Sequence, residues 1–415
     1  MAGDEPTGKA IDPLSQRTRL GGVPRSVWTL GFVSLFMDVS SEMIHALLPL
    51  FLVGVLGASV TTLGLIEGMA EAAASISKVV SGVASDRLGR HKPLALTGYA
   101  LAAATKPLFA LASSAEWVFF ARFLDRIGKG VRGAPRDALL AELAPPEVRG
   151  ASYGLRQALD TVGAVVGPLL ATLLMLATGD AFRVVLWIAC APAVVSVLLM
   201  LLAVQEPETR AQPGAKPLRR EGAASFPVAF WWVVASGGLF TLARFSEAFL
   251  ILRAKSVGLS AALAPLMLVV MNLVYAGSSY PAGRLSDRVS RMRLLFFGFA
   301  VLALADLVLA AARGPSLVVL GVLLWGLHMG LTQGLLSALV ADTAPASIRG
   351  SAFGVLNLVL GVAMFASSVL AGWLWEHWGP SASFFSGAVL VGLALLVWVL
   401  VGRRSKFQEW SGAGP

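Results

Sequence analysis

About twelve stretches of this chain are each long and apolar enough to cross a lipid bilayer, and that constrains its fold more than any other feature. A helix needs about 20 residues to traverse the hydrocarbon. No water is present there to satisfy backbone N–H and C=O groups, so spans of this kind are helices. The runs fall near Trp28–Leu56, Thr61–Ala84, Pro93–Ala112, Trp117–Leu143, Ser152–Thr178 and Val184–Val204, then Val228–Leu252, Ala261–Ala282, Leu294–Ala312, Leu317–Ala341, Ser351–Trp375 and Ser381–Val401. Charged residues make up 14% of the chain, against about 25% in a soluble globular protein. The expected fold class is therefore an all-α, multi-pass integral membrane protein whose first partner is the bilayer.

One interruption divides the runs six and six. Gln205–Phe226 is rich in proline and charge, both of which a helix interior disfavours. The expected organisation is an N-terminal tail (1–25), a six-helix half (26–204), a linker (205–226), a second six-helix half (227–402) and a C-terminal tail (403–415). The net charge of +9 does not point to nucleic acid, because the basic residues recur in alternate short loops. Loops of that kind face the cytoplasm. Lys216, Arg219 and Arg220 of the linker follow the same rule, so both termini are expected on the cytoplasmic side of a cell (inner) membrane. The first apolar run is too long for the core of a cleavable signal. A single cysteine, Cys190, leaves no intramolecular disulfide and no thiolate metal cluster.

The halves repeat each other at an offset of roughly 200 residues. Gly82-x-x-x-Asp86-Arg87-Leu-Gly89-Arg90 returns as Gly283-x-x-x-Asp287-Arg288-Val-Ser290-Arg291. Ala144-Pro145 with Arg149-Gly150 returns as Ala344-Pro345 with Arg349-Gly350, and Ser41-Glu42 as Ser246-Glu247. Three ordered pairs at nearly one offset indicate duplication, the construction used by many transporters.

These motifs resemble the major facilitator superfamily along essentially the whole chain. The resemblance implies two pseudosymmetric six-helix bundles around a cavity that opens alternately to either side. It makes Gly82, Asp86, Arg87 and Arg90, with Gly283, Asp287, Arg288 and Arg291, the expected gating residues: glycine for helix contact, Asp86 near a helix N-terminus, arginines for charge pairs. Gly154-(x)8-Gly163-(x)3-Gly167-Pro168 resembles the fifth-helix motif of superfamily exporters, with Ala171 and Thr172 where two further glycines are usual. It implies a glycine face that bends and packs against the other half during the conformational switch. Arg122 matches a family arginine linked to proton coupling. The neighbouring Asp125, Arg126, Gly128, Lys129 and Gly130 depart from the usual exporter pattern.

Charge at membrane depth costs at least about 2.5–3.5 kcal/mol per group, so such residues pair or face water. Asp38, Glu42 and His45 share one face of the first helix by their i, i+4, i+7 spacing. A carboxyl removed from water holds its proton more tightly and can act as a carrier. Glu42 is the first candidate for proton coupling, Asp38 the second, with Arg122 tuning them. The alternative is a fixed salt bridge to an arginine of the fourth helix. Glu67 and Glu71 are expected to pair with basic residues of their own half, Arg156 with Asp160, and Arg244 with Glu247. Arg122, Arg126, Lys129, Arg132 and Arg136 form either an anion site or a charge network with Asp125, Asp137, Asp160, Glu42 and Asp38, and Lys129 and Arg132 read as too near the cytoplasm to be deep ligands. Gly128, Gly130 and Gly133 suggest a flexible or kinked helix. In the second half Asn272, Tyr275, Asp306, His328, Gln333 and Asn357 are the candidate cavity residues.

Gly128–Gly133 also fits G-x-G-x-x-G, but no βαβ unit surrounds it, so a dinucleotide reading fails. No phosphate-binding loop for ATP is present. No metal site, cofactor or enzyme chemistry is expected. The expected function is secondary transport, a proton-coupled antiporter exporting a small organic compound, working as a monomer. The alternative is proton-coupled uptake of an anionic metabolite, with soft-metal transport a more distant one.

Overall fold

The computed structural model describes residues 19–402 other than 21, 89, 205–225, 287 and 345–348, so the expected linker and most of both expected tails lie outside the described residues. A two-residue antiparallel ribbon, β1 (Arg19–Leu20) with β2 (Val23–Pro24), leads into the first helix. Twelve spans follow: α1 (Arg25–Val55), α2 (Val60–Leu88), α3 (His91–Leu111), α4 (Ala115–Leu143), α5 (Arg149–Thr178) and α6 (Phe182–Leu202), then α7 (Val228–Ser256), α8 (Leu266–Ser286), α9 (Arg291–Ala311), α10 (Pro315–Thr343), α11 (Arg349–Trp378) and α12 (Pro380–Gly402). Among the described residues nine of these are apolar enough throughout to qualify as membrane spans on composition alone. The three that fall short, α2, α4 and α8, carry polar side chains on a face turned to the protein interior.

Two spans differ from the sequence expectation. The eighth helix starts at Leu266, after turns at 261–265, rather than at Ala261. α7 is broken at 244–247, between Val228–Ala243 and Ala248–Ser256. Irregular backbone at membrane depth survives only where protein replaces water. Here the Ser367 hydroxyl donates to the Arg244 carbonyl at 3.1 Å, and the Ser246 N–H donates to Ser368 Oγ at 3.2 Å.

The duplication is visible in matched ion pairs. His91 at the start of α3 lies 3.2 Å from Glu142 near the end of α4. Two hundred residues on, Arg291 at the start of α9 pairs with Asp342 near the end of α10. Each pair closes the corner between the same two helices of its own half.

The halves meet unequally along their length. At the end remote from the termini, Leu47, Phe51, Ile66 and Phe109 of the first half share one apolar cluster with Phe245, Phe249, Leu268 and Trp325 of the second. At the other end the clusters are separate: Val27, Leu30, Leu139 and Met200 in the first half, Phe230, Val234, Val340 and Leu356 in the second. α2 and α11 stay in contact throughout, with glycine where backbones meet. A Cβ on Gly68 would lie 2.9 Å from Phe365 Cα, and one on Gly361 3.0 Å from Ser75 Cβ. α5 and α8 touch at mid-depth, where Asn272 Nδ2 donates to the Ala164 carbonyl at 3.0 Å. Towards the termini they separate, and Gly154 and Gly283 face open space. The molecule is closed at one end and open on the side of the termini.

The α2–α11 contact gives a first expected result. Gly68→Val forces two bulky groups against the α11 backbone, and overpacking of this kind costs about 1–3 kcal/mol. The melting temperature of the purified protein in detergent should fall, while Gly154→Val, which enters open space, should leave it unchanged.

Candidate functional site

Opening at one end leaves a polar cleft between the halves. On the first-half side a cavity of about 350 Å³ is bordered by Asp38 and Glu42 of α1, Glu71 and Lys78 of α2, Lys129, Arg132 and Arg136 of α4, and Asp160 of α5. On the second-half side a cavity of about 410 Å³ is bordered by Arg244, Phe240, Phe299, His328, Gln333 and Phe353. Lys78 and Asn357 border both, so the two adjoin. A third crevice, of about 980 Å³, runs between α5, α8 and α10 and is bordered by Gly154, Thr161, Tyr275, Gly283 and Gln333.

α4 supplies more of the charge than any other helix, and its glycines explain how it can lie so deep. A Cβ on Gly128 would lie 2.9 Å from the Ala102 nitrogen of α3, and one on Gly130 2.6 Å from Ser77 Cβ of α2. α4 is helical without interruption from Ala115 to Leu143, and these glycines admit the close approach of its neighbours. They hold Arg122, Arg126 and Arg132 almost wholly out of water.

Each of these buried arginines meets an acid. Arg122 Nη2 donates to Glu67 Oε2 at 2.9 Å, Arg126 Nη1 lies 3.4 Å from Glu71 Oε1, and Arg132 Nη2 lies 3.4 Å from Asp38 Oδ1. Arg136 bonds Asp137 at 3.1 Å, and Arg156 bonds Asp160 at 2.6 Å. Arg132 and Arg136 thus pair within the acids of the expected network, Arg122 and Arg126 pair instead with Glu67 and Glu71, and Glu67, Glu71 and Asp160 have partners of the kind expected. Arg122 does not touch Glu42. It reaches that residue through a chain: Glu67 Oε2 is 3.7 Å from His45 Nε2, and His45 Nδ1 is 3.3 Å from Glu42 Oε2. The fixed bridge to a fourth-helix arginine belongs to Asp38, not to Glu42. Lys129 and Arg132, read from sequence as too near the cytoplasm to be deep ligands, both border the cavity.

The basic residue that sequence reasoning missed is Lys106 of α3. It is fully buried, and its ammonium donates to Asp125 Oδ1 at 2.7 Å and to Ser41 Oγ at 2.9 Å. Its signal was a lone lysine in an otherwise apolar run. At the matching positions of the second half stand Asp306 and Trp325, both fully buried, with neither the carboxylate nor the indole N–H partnered. Asp306 lies away from the cavities, against Gly387 of α12, contrary to its expected lining role.

In the second half Arg244 and Glu247 pair at 3.1 Å across the α7 break. Tyr275 and Gln333 lie 3.1 Å apart, and turning the Gln333 amide lets its oxygen accept from Arg244 at 3.0 Å. His328 bonds the Gly298 carbonyl at 2.9 Å and faces the cavity. Asn272 joins α8 to α5 and borders no described cavity. Ser246 reaches across to Glu67 Oε2 at 3.5 Å, so that carboxylate also takes part in the closed end.

The fifth-helix glycines lie otherwise than expected. A Cβ on Gly163 would sit 3.0 Å from Asp38 Cβ, and one on Gly167 2.7 Å from Glu42 Cβ. They and Pro168 are buried within the first half. The tight packing is against α1 of the same half, at the level of its two carboxylates, and only Gly154 faces the cleft. Of the gating set, Gly82 touches Ala134 of α4 in ordinary contact, and Arg90 and Arg288 are exposed without an ion pair among the described residues. The side chains of Asp86 and Arg87, and all of Asp287, lie outside the described residues.

A family model matches the chain twice, over residues 30–252 and 234–414, once for each half; its description is Major Facilitator Superfamily. The chain belongs to the Major Facilitator Superfamily. It is similar to an uncharacterised MFS-type transporter of Methanocaldococcus jannaschii, 32% identical over 381 residues that cover 90% of this chain and 94% of the relative. It is also similar to the multidrug resistance protein MdtH of Salmonella typhi, 27% identical over 72% of this chain and 73% of that one. Among solved structures, a POT family transporter in complex with a thioalcohol-conjugated peptide superposes with a TM-score of 0.79 at 14% identity, covering 92% of this chain and 96% of that one. At such identity the likeness concerns the fold. The twelve-helix, two-bundle arrangement expected from the repeat is the arrangement of this superfamily member.

Proposed function

We propose that this superfamily member is a secondary transporter, a proton-coupled antiporter that exports a small organic compound by alternating access. The observation that carries the reading is Glu42. It borders the open cavity, and its partner is a histidine, His45, rather than an arginine. A carboxyl in that position can exchange a proton with cavity water without stranding a buried cation. His45 links it to Glu67, which Arg122 holds in place. Rocking of the halves would carry the Glu42 proton between the two sides, and its release would free the cavity for substrate. The seating of Gly163 and Gly167 on the carboxylate-bearing face of α1 gives α5 a mechanical link to the same event. Export is favoured by the fifth-helix pattern and by the likeness to a multidrug resistance protein. On this reading the protein is a monomer in the inner membrane, with termini and open cleft on the cytoplasmic side.

A second reading, uptake of an anionic metabolite with protons, draws on the basic residues of the cavity. Respiring everted vesicles separate the two. Their interior is acidic, so addition of a substrate to an exporter should dissipate the pH gradient, read by acridine orange. A panel of cytotoxic compounds and organic acids that leaves the gradient intact, while intact cells accumulate one of them, would replace export by uptake.

A further inference from the structure

Of the first-half cations that border the cavity, two have no ion pair among the described residues. Arg122, Arg126, Arg132, Arg136, Arg156 and Lys106 each have a carboxylate partner. Lys78 of α2 and Lys129 of α4 have neither an ion pair nor a side-chain hydrogen bond among the described residues, and both border the cavity. Lys78 stands where the two cavities adjoin. Of the acids around them, Asp38 pairs with Arg132, Glu71 with Arg126, Asp137 with Arg136 and Asp160 with Arg156, while Glu42 bonds His45 and lies within Coulombic reach of Lys129. A cleft with low-dielectric walls focuses such uncompensated charge on whatever enters it.

Beyond Lys78 the surface changes character. Phe240, Phe299, Phe353, Leu336, Leu356 and Leu360 line the second-half cavity. The adjoining cavities are of the size that holds drug-sized ligands. Their two ends differ in chemistry: charged side chains, Lys78 and Lys129 among them, border the first-half end, and aromatic and aliphatic side chains of α7, α9, α10 and α11 line the second-half end beside Arg244, His328 and Gln333.

We propose that Lys78 and Lys129 bind the anionic group of the substrate, and that Phe240, Phe299 and Phe353 receive its apolar body. The substrate class is then an amphiphilic organic anion, an aromatic or alicyclic carboxylate or sulfonate. The inference rests on the transporter reading but not on the direction of transport. It uses ammonium groups as point charges facing water, so it needs no rearrangement of the arginine pairs.

Two probes with one ring system and opposite charge test it: 2-naphthalenesulfonate and 2-naphthyltrimethylammonium, titrated calorimetrically into the protein in nanodiscs. The sulfonate should bind, and the ammonium compound at least about tenfold more weakly. Lys78→Gln and Lys129→Gln should each weaken the sulfonate by about tenfold, as expected for one charge-assisted hydrogen bond. Lys78→Arg with Lys129→Arg should retain it. Both lysines face the cleft, so an unchanged melting temperature serves as the folding control. No sulfonate binding, equal binding of the two probes, or full sulfonate affinity in the double glutamine variant would each overturn the site. Proton-coupled transport restricted to cations would remove the anion site and leave the transporter reading standing. Sulfonate binding with no proton movement for any compound would do the reverse.

Discussion

Glu42→Gln is expected to abolish uphill transport while leaving substrate binding and substrate-driven exchange in place. The side chain borders the open cavity and its partner is His45, so the amide can take its place without stranding an arginine. What is lost is the site that gains and releases the proton. The uphill rate in proteoliposomes should fall by about a hundredfold, the lower end of what a positioned proton-transfer group contributes. Counterflow at zero proton gradient should persist. The matching change at Asp38 should behave differently. Asp38 is held by Arg132, one of whose nitrogens already has no partner. Asp38→Asn weakens the hold on a buried cation and should lower stability before it alters coupling. A Glu42→Gln protein that still acidifies its lumen on substrate exchange, together with an Asp38→Asn protein of normal stability that does not, would transfer the proton to Asp38.

Glu42 and Asp38 also mark the boundary between what sequence revealed and what only structure could. Their shared face was legible, because i, i+4 spacing is a property of one helix. The same holds for Arg156 with Asp160 and Arg244 with Glu247, both found paired as expected. The spans were legible within a few residues, since the cost of polar backbone in lipid is paid locally. Partner choice between helices was not. Arg122 faces Glu67 rather than Glu42 because of the rotation of α4 against α2, set by the small residues that let them approach. Among them Gly128 and Gly130 lie at close contacts, and a sequence does not distinguish a glycine that admits a neighbour from one that bends a helix. The break in α7 was hidden for a related reason. The serines that satisfy it, Ser367 and Ser368, lie more than a hundred residues away on α11. Lys106 was overlooked among apolar neighbours, although the rule that buried charge must be paired applies to it more strictly than to any residue singled out.

That rule supplies the largest expected effect on stability. Lys106 and Asp125 are both fully buried and 2.7 Å apart, with Ser41 as the lysine's further acceptor. Lys106→Met leaves Asp125 as a carboxylate deep in the first half without its cation. Breaking one side of a buried pair costs about 3–5 kcal/mol. Asp125→Leu should cost a similar amount, because the Ser41 hydroxyl can accept a hydrogen bond but cannot neutralise an ammonium. The double variant Lys106→Met with Asp125→Leu removes both desolvation penalties, and apolar replacement of a whole buried pair is often neutral or stabilising. Unfolding of the three variants in mixed micelles should therefore be strongly non-additive, with the double variant close to the parent. Additive losses, or single variants as stable as the parent, would mean that water or a rearranged neighbour already compensates the charge. Transport by the double variant then separates structure from mechanism. A refolded protein with normal uphill transport assigns the pair to holding α3, α4 and α1 together. A stable protein that exchanges substrate but cannot drive it uphill would mean that this buried charge takes part in the proton's passage, alongside the Glu42–His45–Glu67 chain.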